Sequence, residues 1–448
     1  MPTGDIANKN QPLSPRLGLF GATMAVIGGI VGAGIFINPF VVAERVHSSF
    51  LILLAWICGG LVALIGGAIY AELAARLPVV GGQYTYLRRA LHPGVGFIYG
   101  WVLLLVIQTG GMAAVAVTFA RYLLVLTQWH IPEEVVATVG LLLLTGVNCL
   151  GVAVGSRVQS LATLVAIAAI AVLEIVSLFG WSSSQLSWHP LIDPPLSLGL
   201  GVAFGSALVP VLFAYGGWQT STFLAGEMRD PETTLPRALL LGVVLVIITY
   251  TSVNLVYLHV LGPSGLRGTP TPASTVMLAL ARPRGEQFIA AGIAFSAFGF
   301  LAQSILTAPR VYYAMARDGL FFRSVGWVHP RTHVPVIAVA LQGIWATLIA
   351  LTGTYDQIVN YVVAVDCTFF GLTAVCLLVL RRRGEGGATV RYFVPGHPWT
   401  TLIFVAVEWL VVASTFIADP IRATIGFGIA LLGLPAYLFW RSRTRVEA

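Results

Sequence analysis

The chain has 448 residues, of which 57% are hydrophobic and only 10% charged, and its formal net charge is +7 at pH 7. Soluble proteins carry roughly 25% charged residues, so the composition excludes a soluble globular domain and sets the fold class as an all-α integral membrane protein. A basic balance would point to acidic partners in a soluble chain, but in a membrane protein it has first to be read against the asymmetry of the loops.

In chain order, residues 1–16 are a polar tail without an apolar core, expected to be cytoplasmic and not a signal peptide. Residues 17–440 read as one transmembrane domain of twelve apolar stretches, each about long enough to cross a bilayer: roughly 17–45, 50–76, 95–126, 134–154, 157–181, 199–227, 236–261, 286–316, 333–352, 357–380, 400–418 and 422–440. Residues 441–448 form a second cytoplasmic tail. The linkers are short, and none is long enough to be a soluble domain. Nineteen of the 25 Lys and Arg residues fall on the side shared by both termini, the exceptions being Arg45, Arg121, Arg267, Arg282, Arg284 and Arg422. Positive residues stay inside, so both termini are expected in the cytoplasm and the chain in the cell membrane. Topology and contact with the lipid bilayer account for the charge, and no nucleic acid is required. Cys58, Cys149, Cys367 and Cys376 all lie in apolar stretches without paired or metal-ligand spacing, and read as small core residues.

The first stretch carries four glycines at its middle, Gly28, Gly29, Gly32 and Gly34. Each costs roughly 1 kcal/mol relative to alanine inside a helix, so the cluster invites the backbone to unwind. In a bilayer, unwinding is allowed only where the freed groups face protein or a wet cavity. The alternative is that Gly28 and Gly32 form a small-residue face for close helix packing. A second interruption, Phe213-Ala-Tyr-Gly-Gly-Trp218, lies in the sixth stretch. Stretches one and six would open the two halves of a five-plus-five repeat and cross in opposite directions, the pattern of an inverted repeat whose broken helices meet at the bilayer centre. The halves are then 17–181 and 199–380, with stretches eleven and twelve, 400–440, outside the repeat.

These two breaks resemble those of the amino acid–polyamine–organocation superfamily, and in particular the L-type amino acid transporters and their bacterial relatives. The segments that carry the resemblance are Gly28 to Pro39, Phe213 to Trp218, Gly226-Glu-Met-Arg-Asp-Pro-Glu-Thr-Thr-Leu-Pro-Arg-Ala238, Leu77 to Tyr86 and Tyr361 to Gly371. They cover nearly the whole chain in the right order. The resemblance implies a secondary transporter that holds a small-molecule amino acid by its main-chain groups at the two breaks. An unwound helix end offers unpaired N–H groups and a positive dipole end to a carboxylate. By carry-over, the substrate carboxylate goes to the backbone of Val31, Gly32, Ala33 and Gly34, and the ammonium to carbonyls near Ile27, Phe213, Ala214 and Gly216. Phe213 matches the aromatic position that closes over the substrate, with Trp218 as a second gate candidate.

Ionisable residues inside a membrane are functional candidates by default. Glu72, one turn before Arg76, reads as a snorkelling structural pair. Glu174 and Glu408 have no obvious partner. Glu227 and Arg229 begin a cytoplasmic loop and read as part of an inner gate. Asp366, mid-span in the tenth stretch, is either a proton-carrying or gating residue or a fixed hydrogen-bond acceptor. Relatives often place a lysine in the fifth stretch where sodium-coupled cousins bind their ion; the alignment puts Ala166 there, and Lys9 is the only lysine. Of the hydroxyls that sodium-coupled members use in the eighth stretch, Ser304 and Thr307 remain. Exchange, proton coupling and sodium coupling thus stay open, with Asp366, Ser304, Thr307 and Ala166 as the coupling positions.

The function read from the sequence is alternating-access transport of neutral L-amino acids, with cationic amino acids, polyamines or a non-transporting sensor as alternatives. A channel would need a selectivity filter, and none is recognisable. An enzyme would need a nucleophile–base or metal cluster; the eight histidines show no such spacing, and no cofactor is expected. Animal relatives pair with a heavy chain through a cysteine in the outer loop between stretches three and four. Residues 127–133 contain none, so no disulfide-linked partner is expected.

Overall fold

The structure, a computed structural model, describes residues 17–32, 34–78, 81–150, 152–179, 185–192, 198–332, 334–352, 355–386 and 390–446. Residues 1–16, Ala33, residues 447–448 and the loop residues between these ranges lie outside it. Among the described residues the chain is helical throughout, and its one β-type contact is an isolated bridge between Leu17 and Met228.

The first apolar stretch folds as two helices, α1 (Leu19–Ile30) and α2 (Gly34–Arg45). The chain leaves the helix at Val31, which has extended geometry with φ −74° and ψ 90°. Helix α3 (Ser49–Arg76) starts at Ser48, whose hydroxyl caps the Leu51 amide at 3.2 Å. A short, largely buried helix α4 (Gln83–Ala90) leads to α5 (Pro93–Val102), which passes through a widened turn at Leu103–Ile107 into α6 (Gln108–Thr127). Helices α7 (Glu133–Cys149) and α8 (Val152–Phe179) follow.

The sixth stretch is also divided: α9 (Leu198–Tyr215) ends at Gly216 and Gly217, and a tighter three-residue-per-turn helix runs from Trp218 to Glu227. Then come α10 (Pro231–Arg267) and α11 (Pro272–Thr307), bent at Gly262 and Arg282. They are followed by α12 (Pro309–Arg317), α13 (Val336–Thr352), α14 (Tyr355–Arg383), α15 (Trp399–Ala418) and α16 (Pro420–Val446).

Ten helical segments among the described residues are long and apolar enough to cross a membrane. The fourth and ninth predicted stretches form α7 and α13, of 17 residues each, at the lower limit of a spanning length. The chain is therefore a multi-pass membrane protein in which ten spans meet the length criterion where twelve were expected.

Inside lipid a proline leaves a carbonyl without its helical donor, and something must replace it. Pro210 frees the Ser206 carbonyl, which accepts from the Arg45 guanidinium of α2. Pro309 frees the Ile305 carbonyl, which accepts from Gln342 Nε2 of α13 at 2.9 Å. The breaks are thus tied to neighbouring helices by side chains distant in sequence.

Glu72 is wholly buried instead of snorkelling. Its Oε1 accepts from Arg76 Nε at 2.9 Å and Arg381 Nε at 2.8 Å; its Oε2 accepts from Arg381 Nη2 at 2.5 Å and the Val394 amide at 2.8 Å. The predicted pair with Arg76 is present, but it is half of a clasp joining α3 to α14 and to the segment before α15. Glu174, expected to lack a partner, accepts from the Ser252 hydroxyl of α10.

Candidate functional site

The two interrupted segments cross in contact, and the crossing has no room for side chains. A Cβ on Gly217, whose φ of +102° favours glycine, would lie 1.9 Å from the Gly29 carbonyl oxygen. A Cβ on Gly34 would meet Ala214 Cα at 2.5 Å. The close-packing face involves Gly29, Gly34 and Gly217; Gly32 instead faces the Phe300 ring, 2.8 Å from where its Cβ would be. Packing and unwinding, posed as alternatives from sequence, occur together.

Beside this crossing lies a cavity of about 90 Å³, room for a few waters or a small solute. The breaks supply one wall: Gly29, Ile30, Gly32 and Gly34 on one strand of the crossing, and Leu212, Phe213, Ala214, Gly216 and Gly217 on the other. Polar side chains come from Gln108 of α6, Gln219 and Thr220 after the second break, and Gln303, Ser304 and Thr307 of α11. Among the described residues, Asp366 of α14 is the one acidic or basic residue in the lining.

Several groups around the cavity are already committed. Gln303 Nε2 donates to the Ala25 carbonyl at 3.1 Å, Tyr250 Oη donates to the Ile30 carbonyl at 3.1 Å, and Thr220 Oγ1 donates to the Gly217 carbonyl at 2.6 Å. The Gly217 amide donates to Gln219 Oε1 at 2.8 Å. What remains is the first turn of α2, whose amides have no partner within their own helix, and the carbonyls at the end of α9, of which that of Phe213 already accepts from the Gly216 amide at 3.2 Å and keeps one lone pair.

Of the positions read from sequence, Gly32, Gly34, Phe213, Ala214, Gly216, Ser304, Thr307 and Asp366 line the cavity. Ile27 and Val31 do not, because the Val31 amide donates to the Ile27 carbonyl at 2.7 Å and each satisfies the other. Ala33, expected to hold the carboxylate, lies outside the described residues. Phe213 meets Tyr355 edge to face at 6.3 Å between ring centroids, and Tyr355 Oη donates to Asn38 Oδ1 at 2.9 Å. Trp218 is buried away from the cavity, stacked on Phe370 at 5.3 Å and edge-on to Tyr70 at 4.8 Å; Phe370 is the ring of this group that reaches the lining. Ala166 is buried within α8 and is not in the lining. The Asp366 side chain has no hydrogen-bond donor among the described residues and opens on the cavity. The Arg229 amide donates to the Leu17 carbonyl at 2.9 Å, while the Glu227 side chain lies outside the described residues.

The sequence reading passed over Phe300, Gln303, Gln108, Asn38 and Tyr355. For Gln108, Gln303 and Asn38 a signal existed, since an amide side chain in a membrane stretch needs a partner there. Nothing in the local sequence distinguishes Phe300 or Tyr355 from other aromatic residues.

The sequence model of a family described as amino acid permease matches residues 17–439. The chain belongs to the amino acid permease family. The serine/threonine exchanger SteT of Bacillus subtilis (strain 168) is similar to this permease, with 31% identity over 443 residues that cover 97% of the permease and 99% of the relative. The human large neutral amino acids transporter small subunit 2 is 30% identical over 457 residues, covering 97% and 82% of the two chains. The mouse Asc-type amino acid transporter 1 is 28% identical over 465 residues, covering 98% and 84%. These relatives are transporters, so the permease belongs with amino acid transporters and not with enzymes. Among the described residues no group of His, Cys, Asp and Glu could hold a metal ion, and the four cysteines are free thiols.

Proposed function

We propose that this permease exchanges small neutral L-amino acids across the cell membrane by alternating access. One observation carries the reading: in a chain of this family, the cavity lies where the two interrupted helices cross, and among the described residues a single acid is the only ionisable side chain of its lining other than the Cys367 thiol. A substrate carboxylate is held by the Gly32 and Gly34 amides, with that of Ala33 between them, at the positive end of α2. The ammonium is held by the Phe213, Ala214 and Gly216 carbonyls. Recognition of the substrate is therefore mainly by backbone, and the small volume limits its side chain. Val31 and Ile27 join the site only if their mutual hydrogen bond opens.

Phe213 closes the site on the side of Tyr355, and the Phe370 ring, backed by Trp218 and Tyr70, forms its floor. The domain is read as twelve spans, 17–440, with a five-plus-five inverted repeat, broken helices one and six, and both termini cytoplasmic. Exchange is preferred to net uptake because the Bacillus relative is named an exchanger. No disulfide-linked partner is proposed, as the loop at residues 127–133 has no cysteine. Asp366 favours a second reading, transport of a cationic amino acid, because an acid in the lining attracts a second ammonium.

The test is uptake of labelled L-serine, L-threonine, L-leucine and L-arginine into proteoliposomes holding the purified chain, with empty or amino-acid-loaded lumens. Uptake of serine or threonine that requires a loaded lumen is the expected result. Arginine as the preferred substrate establishes the second reading, and no exchange of any amino acid refutes both.

A further inference from the structure

Helix α15 lies outside the proposed repeat, yet it carries a carboxyl group into the interior. Glu408 is 2% exposed, and its Oε2 has no hydrogen-bond partner among the described residues. Its neighbour across the α14–α15 contact is Cys367, whose thiol is within hydrogen-bonding reach of the Glu408 carboxyl. Cys367 is itself in the cavity lining, one residue from Asp366. The two acids thus lie next to one residue, Cys367: Asp366 beside it in the cavity lining, and Glu408 buried against its thiol.

The groups that face this pair are few. Tyr70 of α3 and Tyr99 of α5 approach Asp366. The charged residues of the helices packed on α14 and α15 lie elsewhere: Arg121 pairs with Glu133, Arg88 with Asp318, Arg89 with Glu385, Arg422 with Asp419, and Arg76, together with Arg381 of α14 itself, with Glu72, while Arg441 and Arg443 of α16 are exposed, Arg443 over the Phe439 ring. Tyr215 of α9 packs on Trp56 and Tyr250. No described cation reaches Glu408. A carboxylate without a compensating partner in a membrane interior costs several kcal/mol, and a bound cation removes that cost. Two carboxyls and a thiol are too few oxygen donors for a metal ion, whereas one proton suffices.

We infer that Asp366 and Glu408 form a proton-binding pair linked to occupancy of the substrate cavity. A neutral substrate that fills the cavity displaces the water that hydrates Asp366, so the occupied state takes up a proton shared by the pair. By linkage, what substrate does for the proton, the proton does for substrate. The apparent affinity for a neutral substrate therefore falls as pH rises, by up to about tenfold per pH unit for one proton.

The inference rests on the cavity as the substrate site, and its test has one arm that needs no substrate. In the first arm, the purified full chain is titrated with acid and base while the infrared carbonyl stretch of protonated carboxyls is followed. The wild type is expected to show a titrating band that is diminished in Glu408→Gln and lost in Asp366→Asn/Glu408→Gln. An unchanged band in the double variant overturns the pair, whatever the substrate. In the second arm, binding of labelled L-serine is measured between pH 5.5 and 8.5. The expected result is weakening with pH in the wild type and a flat profile in Glu408→Gln. A wild-type profile that is already flat, or one that Glu408→Gln leaves unchanged, overturns the linkage. Glu408→Asp, which keeps the acid, is expected to restore the slope. If Glu408→Gln fails to fold, Cys367→Ala serves in both arms, and it is expected to separate the two acids and reduce the slope.

Discussion

Gly217→Ala tests the crossing of the two interrupted segments most directly. The new methyl would sit 1.9 Å from the Gly29 carbonyl oxygen and 2.8 Å from its carbon. Both are backbone atoms, so no side chain can swing away to make room. Forcing an L-residue into the left-handed region costs about 1–2 kcal/mol, and overpacking a well-filled interior costs about 1–3 kcal/mol more. Together the substitution should destabilise the permease by about 2–5 kcal/mol. The comparison is Gly146→Ala in α7, where no atom lies within 4 Å of the added methyl; there the loss of backbone freedom in the unfolded chain should be mildly stabilising. The assay is thermal melting of the detergent-solubilised protein by size-exclusion chromatography, combined with serine counterflow in proteoliposomes. Gly217→Ala should melt well below wild type and lose counterflow, and Gly146→Ala should do neither. Equal melting of Gly217→Ala and wild type would refute the reasoning, because it would mean that the two segments do not cross this closely.

Further substitutions address the site and its supports. Phe213→Ala removes the edge-to-face contact with Tyr355 and should raise the KM for serine exchange roughly two- to tenfold, while Phe213→Tyr stays near wild type. Gly111 lines the cavity with open space around its Cβ position, so Gly111→Val should fold normally yet raise KM about tenfold by occupying substrate volume; an unchanged KM would move the site elsewhere. Glu72→Gln strips the carboxylate from two arginines and should cost about 3–5 kcal/mol, read as a lower melting temperature at unchanged expression. His397 lies in the segment before α15, where partial burial and then the nearby Arg381 hold its imidazole below the usual histidine range. The unfolded chain binds that proton more readily, so this residue's contribution to stability is complete above about pH 6.5 and lost as pH falls through the window beneath it. His397→Gln should flatten the melting temperature between pH 5 and 7 slightly, an effect absent if the histidine is as freely protonated as in the unfolded chain.

The breaks were legible because their cause is local. Four glycines within seven residues, or a Gly216-Gly217 pair in an apolar run, weaken a helix wherever it is placed, and α1 does end at Ile30 and α9 at Tyr215. The family was legible for the same reason, since its motifs lie at those breaks. The hydropathy pattern placed each stretch but measured its length less well: α7 and α13 came out at 17 residues, and α10 and α11 extended past their apolar cores until Gly262 and Arg282 turned them.

What could not be read was pairing across the chain. Glu72 invited a partner one turn away and found it, but Arg381, which supplies the bidentate contact, is 309 residues distant. Asn38 and Tyr355, which brace Phe213, are separated by 317 residues. Such partners are chosen by geometry that only the assembled bundle provides, and no window of sequence contains both. Ile27 and Val31 fail for the opposite, local reason. Resemblance assigned them to opposite ends of a substrate, but the last turn of α1 joins them to each other, since an amide and a carbonyl four residues apart pair whenever the helix between them holds. A helix break therefore frees fewer groups than the motif that marks it contains, and the amides it frees lie past the last closed turn, at Gly32 and Gly34, both in the cavity wall.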